Sequence, residues 1–210
     1  MEKSAYKALP MQIIKEGTSY LPPGGGVPHL VKMDSPAVAV MTDLCQVPAA
    51  TIRPDATAAQ ATQAMIARGV RLLLVVDAAG FVEGVITARD TMGEKPVKML
   101  EEKGGKHAEL HVADLMTPRD KIEAIDMANV LKSMVGHIVT TLRDSARQHA
   151  LVVDRDPITG EQRIRGIFSA TQIARQLGIS IQTFEVTSTF AAIESGGARW
   201  EFGKQIVSKG

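Results

Sequence analysis

The sequence predicts an α/β (α+β) fold in which two β-α-β-β-α repeats pack with pseudo-two-fold symmetry. Three observations carry this prediction. One order of signals occurs twice along the chain. Each copy holds a short, continuous apolar run bounded by turn residues. And a repeat of this size is too small to bury its apolar faces alone, so packing one against the other is the physical expectation. The 210 residues divide into an N-terminal extension (1–33), a first repeat with a connecting helix (34–106), a second repeat (107–179) and a C-terminal tail (180–210).

The run Leu21-Pro22-Pro23-Gly24-Gly25-Gly26 cannot continue a helix or a central strand and reads as an exposed link. The body begins at Asp34-Ser35-Pro36, where a capping side chain precedes a proline suited to a first helical turn. Val40-Met41-Thr42 then leads in. Thr57-Ala58-Ala59-Gln60 has the form of a capping box, so a helix starts there. Ala58, Ala61, Ala64 and Met65 share one face of it, and Gly69 is placed to end it. Leu72-Leu73-Leu74-Val75-Val76-Asp77 reads as a strand buried on both faces. Ala78-Ala79-Gly80 turns the chain into a second strand, Phe81 to Ile86, which ends in Gly84-Val85-Ile86-Thr87-Ala88-Arg89-Asp90 at the start of another helix.

Pro96 to Glu102 forms a connecting helix closed by Gly104-Gly105, after which the order repeats. Leu115-Met116-Thr117 answers the first lead-in. Val130, Met134, Ile138 and Leu142, backed by Leu131, Val135 and Val139, predict one longer helix. His149 to Asp154 answers the first apolar strand. After a longer hairpin through Asp156-Pro157-Ile158-Thr159-Gly160, Gly166-Ile167-Phe168-Ser169-Ala170-Thr171-Gln172 answers the first turn, and its helix ends near Gly178. Phe184, Phe190 and Trp200 give the tail apolar groups to pack on the body or on a neighbouring chain.

Composition narrows the function. Hydrophobic residues at 45% and charged residues at 22% are ordinary for a soluble globular protein, and a net charge of +1 disfavours nucleic acid as a partner. Cys45 has no intrachain partner for a disulfide, and no Cys/His cluster has metal-ligand spacing. No apolar run approaches the ~20 residues that span a bilayer, and the N-terminus lacks the apolar core of a secretory signal. A cytoplasmic protein without membrane insertion is the expectation. No nucleophile elbow, P-loop, zinc-type helix motif or dinucleotide fingerprint is present, so an enzyme is not expected.

The duplicated Met-Thr lead-in, the duplicated Leu-Val-Val-Asp strand and the duplicated glycine-to-hydroxyl turn resemble a tandem pair of CBS (cystathionine β-synthase) domains, a Bateman module, over roughly residues 36–178. The resemblance implies a regulatory module that binds AMP, ADP, ATP, S-adenosylmethionine or a related ligand between its repeats. It also implies a homodimer acting on a regulated protein whose identity the sequence does not carry. Within it, Thr87 faces a ligand phosphate and Asp90 holds ribose hydroxyls, while Ser169 takes the phosphate role in the second repeat. The adenine lies against Val47, Ala49 and Ala50 with Val70 in the first repeat, and against Ile122 and Ala124 in the second.

Elementary chemistry supports those roles. A carboxylate presents two acceptor oxygens to vicinal hydroxyls. A hydroxyl beside free N–H groups at a helix start suits an anion, and Gly84 removes a side chain where backbone and ligand approach. Arg71 and Arg89 are near enough to neutralise phosphate, and His149 and Arg165 flank the second turn. The second turn departs from the family at Gln172, where aspartate is expected, so the first turn gives the better ribose site.

Blander readings stand beside these. Thr87 and Ser169 can cap the helices that follow them. His149 can be a partly buried polar residue, and the arginines can be solvated. Cys45 can be a small packing residue. Gln172 and the aromatic tail also fit a structural or protein-interaction module with degenerate clefts and no physiological nucleotide.

Overall fold

Thr57 and Gln60 begin the first helix as their spacing predicts. The Thr57 N–H donates to Gln60 Oε1 at 2.8 Å, and the Gln60 N–H donates to Thr57 Oγ1 at 3.2 Å. This helix, α1 (Ala58–Arg68), ends at Gly69 in the left-handed conformation (φ 63°), where a side chain would be strained. The computed structural model describes residues 31–103, 109–179 and Ile193. The 21–26 run, Gly104-Gly105, Phe184, Phe190 and Trp200 lie outside the described residues. Among the described residues no helix is long and apolar enough to cross a membrane.

The first half contains β1 (Thr42–Asp43), β2 (Thr51–Ile52), α1, β3 (Leu72–Val76), β4 (Val82–Thr87), α2 (Ala88–Met92) and the connecting helix α3 (Glu94–Lys103). The second contains α4 (Val112–Leu115), β5 (Thr117–Pro118), β6 (Ala124–Asp126), α5 (Met127–Val130), α6 (Val135–Asp144), β7 (His149–Arg155), β8 (Gln162–Ser169) and α7 (Ala170–Gln176). The expected helical turn after Pro36 is a single 3-10 turn, Ala37–Val40.

Two four-stranded sheets result, ordered β2-β3-β4-β5 and β1-β8-β7-β6. The lead-in strands are exchanged. β1 opens the first repeat yet pairs with β8, Thr42 opposite Ile167, and β5 opens the strands of the second repeat yet pairs with β4, Thr117 opposite Val85. Packing follows the same exchange. Ala37, Val40 and Met41 lie in the core around Phe168 and Val152, whereas Leu110, Val112 and Leu115 lie in the core around Leu73 and Ile86. Ile193 is buried in the former.

The continuous apolar run of β3 does what such a run predicts. Leu73 and Val75 enter the first core, while Leu72 and Leu74 enter a third cluster with Val85 and Leu151. Leu74 and Leu151 hold corresponding places, opposite Thr51 and Ala124, so the third cluster joins the halves about the pseudo-two-fold axis.

The single longer helix expected from Val130 to Leu142 is broken into α5 and α6. Asp126 caps α5 through the Ala128 N–H at 2.8 Å, and the incoming chain claims the backbone after it: the Ala37 N–H donates to the Ser133 carbonyl, and the Val135 N–H to that of Ser35, both at 2.9 Å. Leu131 and Met134, which a continuous helix would place in its apolar stripe, are 65% and 49% exposed. Tertiary hydrogen bonding overrides the periodicity here.

The exchange also explains Gly84. A Cβ there would stand 2.5 Å from the Thr117 carbonyl oxygen and 2.9 Å from Met116 Sδ. The glycine thus makes room for the crossing strand, which corrects the expectation that it clears space for a ligand. Gly166 does the same for Met41, whose Sδ would lie 2.5 Å from an added Cβ. Gly84→Ala should therefore lower stability by about 1–3 kcal/mol in urea denaturation, as overpacking against a fixed backbone does. Gly166→Ala should cost less, because a thioether can rotate away.

Candidate functional site

Because β5 crosses to the first sheet, the chain after it, residues 119–123, passes over the end of β4. A cleft of about 1220 Å³ forms there, walled by both halves. The end of α1, the start of β3 and the β4–α2 turn supply one side. Thr117, Lys121, Ile122 and Glu123, together with Ala146 to His149, supply the other. Of the residues singled out in the sequence, the cleft brings together Thr87, Arg89, Asp90, Val70, Arg71 and Ile122.

The Thr87–Asp90 turn is tightly organised. Asp90 Oδ2 accepts the Thr87 N–H at 2.8 Å and the Thr87 hydroxyl at 2.6 Å. Asp90 Oδ1 faces Lys95 Nζ at 3.3 Å. Capping and site geometry thus coexist in one carboxylate. Arg89 and Lys121 form no ion pair among the described residues, whereas Arg147 is paired with Glu123 at 2.9 Å. Arg71 crosses between the halves and donates to the hydroxyl of Thr171 on α7. Burial lowers the Arg71 guanidinium from its ordinary value, with Arg175 adding to it. Val70, Leu72, Val85, Ile122 and Leu151 give the cleft apolar walls.

The remaining candidates lie elsewhere. Val47 is exposed, Ala50 packs on the first core and Ala49 on the inter-repeat cluster; neither these three nor Ala124 and Gly84 line this cleft. Val47, Ala49 and Ala50 lie on the segment that runs from β1, in the second sheet, back to β2, in the first. Ser169 and Gln172 sit at the matching turn of the second half, also outside this cleft. There Gln172 Oε1 accepts the Thr42 hydroxyl at 3.1 Å, and Arg165 is paired with Asp43. Arg165 therefore spends its charge on the exchanged strand, not beside the second turn as expected.

His149 sits opposite Ser169, beside the second turn as expected, and also lines the first-turn cleft. Burial, with Arg71 adding, pushes its pKa down to about 4 from 6.5, so at neutral pH it brings no positive charge, which corrects that part of the expectation. Thr117, Lys121, Arg147 and Gln148 are the cleft residues that sequence reasoning missed. Lys121 beside Ile122 was the one visible signal, a lone cation next to an expected contact.

Among known families, the CBS domain model matches residues 38–94. No curated protein matches the chain. Among solved structures, an uncharacterized conserved protein from Pyrococcus horikoshii is 18% identical, with a TM-score of 0.51 over 73% of this chain and 100% of that one. CBSX2 from Arabidopsis thaliana, crystallised in complex with AMP, is 18% identical over 67% of this chain and 94% of its own, with a TM-score of 0.46. A conserved CBS domain protein from Thermoplasma acidophilum is 18% identical over 73% and 77%, with a TM-score of 0.47.

The depressed pKa of His149 makes stability depend on pH. The folded chain keeps the ring neutral, while the unfolded chain takes up a proton near pH 6.5, so the contribution is complete above that pH and is lost as pH falls toward 4. Between pH 7 and 5 this group alone should remove about 2 kcal/mol. Urea denaturation of wild type and His149→Gln at both pH values should show that part of the slope disappearing in the variant.

Proposed function

We propose that the chain, matched by the CBS domain model over residues 38–94, is a regulatory module of that kind that senses an adenine nucleotide or related adenosyl ligand between its halves. One observation carries the reading. The first-turn carboxylate and hydroxyl, Asp90 and Thr87, line the same cleft as two cations that form no ion pair among the described residues, Arg89 and Lys121, and an apolar wall containing Val70 and Ile122. A ligand with a flat apolar base, vicinal hydroxyls and an anionic phosphate or carboxylate matches that set. The base lies on Val70 and Ile122, the ribose hydroxyls donate to Asp90, and phosphate takes charge-assisted bonds from Lys121 and Arg89. AMP, ADP, ATP and S-adenosylmethionine are the candidates, and the role is binding rather than catalysis.

The second turn is a latch in this reading. Gln172 and Ser169 lack a carboxylate partner, and the Gln172 amide is engaged with Thr42. That observation supports the structural alternative for the second half alone, giving one ligand per chain. Ile66 on α1 and Met92 on α2, 75% and 68% exposed at the rim of the cleft, offer a surface where a second copy would feel occupancy. A cytoplasmic homodimer acting on a regulated protein completes the proposal.

Titration calorimetry with the four candidates should show one ligand per chain for at least one of them. Asp90→Ala should weaken it about 10- to 100-fold, the value of hydrogen bonds to a charged group, and Gln172→Ala should leave it nearly unchanged. Absence of binding by all four, or the reverse order of the two variants, would refute the assignment.

A further inference from the structure

Behind the Thr87–Asp90 turn, one ammonium group joins parts of the chain that belong to different halves. Lys95, near the start of α3, places Nζ 3.3 Å from Asp90 Oδ1. The same Nζ donates to the carbonyl of Leu115 and lies 3.4 Å from that of Met116. An ammonium has three donors, and these three acceptors match them. Leu115 is the last residue of α4, whose terminal carbonyls lack partners within the helix and carry partial negative charge, so a cation is well placed there. Met116 leads directly into β5, packs its thioether over Gly84, and is followed by Thr117, which lines the cleft.

Asp90 therefore stands between the cleft and Lys95. One of its oxygens serves the turn, through the Thr87 N–H and hydroxyl, and the other serves the ammonium. Its side chain is 17% exposed and that of Lys95 is 39% exposed, so the pair is screened but not lost to solvent. Hydroxyls that donate to this carboxylate from the cleft compete with its present donors and shift its position. Lys95 then shifts with it, and the carbonyls of Leu115 and Met116 are the next groups in the chain of contacts.

Resting on the nucleotide reading of the cleft, we infer that Lys95 is a positioning residue that couples occupancy of the Asp90 subsite to the crossing segment Leu115–Pro118. It is the physical link by which a ligand held by the first half changes the lead-in strand of the second. Its ion pair with Asp90 and its ion-dipole bonds to Leu115 and Met116 converge on one ammonium, so a change in the first is felt by the others.

Hydrogen exchange tests this with AMP, ADP, ATP or S-adenosylmethionine, whichever gives calorimetric binding to the wild type. In the wild type the ligand should slow amide exchange both in α1, which walls the cleft, and in residues 112–116, which lie outside it. In Lys95→Met, α1 should still respond while the response of 112–116 is lost, with affinity changed only about two- to fivefold, the worth of a half-exposed ion pair. Lys95→Arg, which keeps the charge, should restore it, and Lys95→Gln should lose it as the methionine does. A purely structural lysine would raise exchange of 112–116 with and without ligand but leave the ligand-dependent difference intact. That outcome overturns the coupling and leaves the nucleotide reading standing, as does a wild type in which only α1 responds. Failure of all four ligands to bind the wild type overturns the nucleotide reading, and the coupling falls with it.

Discussion

Each half of this molecule lacks a sheet edge that only the other half supplies. β1 completes the sheet of β8 and β5 completes that of β4. The apolar groups beside those strands travel with them, so each core holds side chains from both halves of the chain. From this one exchange follow the two close-packed glycines, the burial of Leu74 and Leu151 against each other's sheets, and a cleft walled by both halves. A hydroxyl-bearing turn at the end of β4 would face open solvent without residues 119–123 lying across it.

The halves share a plan but differ in chemistry at one position. Asp90 has acceptors enough to bind its own turn, an ammonium and a ligand. Gln172, with a single acceptor oxygen, is occupied by the Thr42 hydroxyl of the exchanged strand. Around it the polar groups close on one another: Arg165 on Asp43, Arg71 on Thr171. In the first cleft two cations stay unpaired among the described residues; beside the second turn the charge is spent on cohesion. The symmetry of the backbone thus coexists with an asymmetry of charge.

What the sequence revealed was local. The Thr57 capping box, the glycine that ends α1, the doubly buried β3 and the two glycine-to-hydroxyl turns are each dictated by residues within a few positions of one another. The misses are all non-local. Hydrogen bonds from Ala37 and to Ser35 break a helix whose periodicity was continuous. Lys121 and Thr117 reach the cleft because β5 pairs with β4, and Arg147 because the loop before β7 packs across from the first half. Val47, Ala49 and Ala50 read as partners of Val70 because they precede it in sequence, whereas the crossing segment of the other half takes that place. A pattern of turns and apolar runs records what each repeat forms, not which repeat its first strand joins.

The exchange of edges also bears on how such a chain came to be. A single repeat of this plan, on its own, would carry a lead-in it cannot use and an open edge at its last strand. Two identical copies would satisfy one another by trading those strands, as swapped dimers do. Joining the copies end to end, through a connection such as α3, converts that trade from an encounter between molecules into an event within one. Once the copies share a chain, their sequences are free to diverge, so that one turn keeps its carboxylate while the other becomes a fastening.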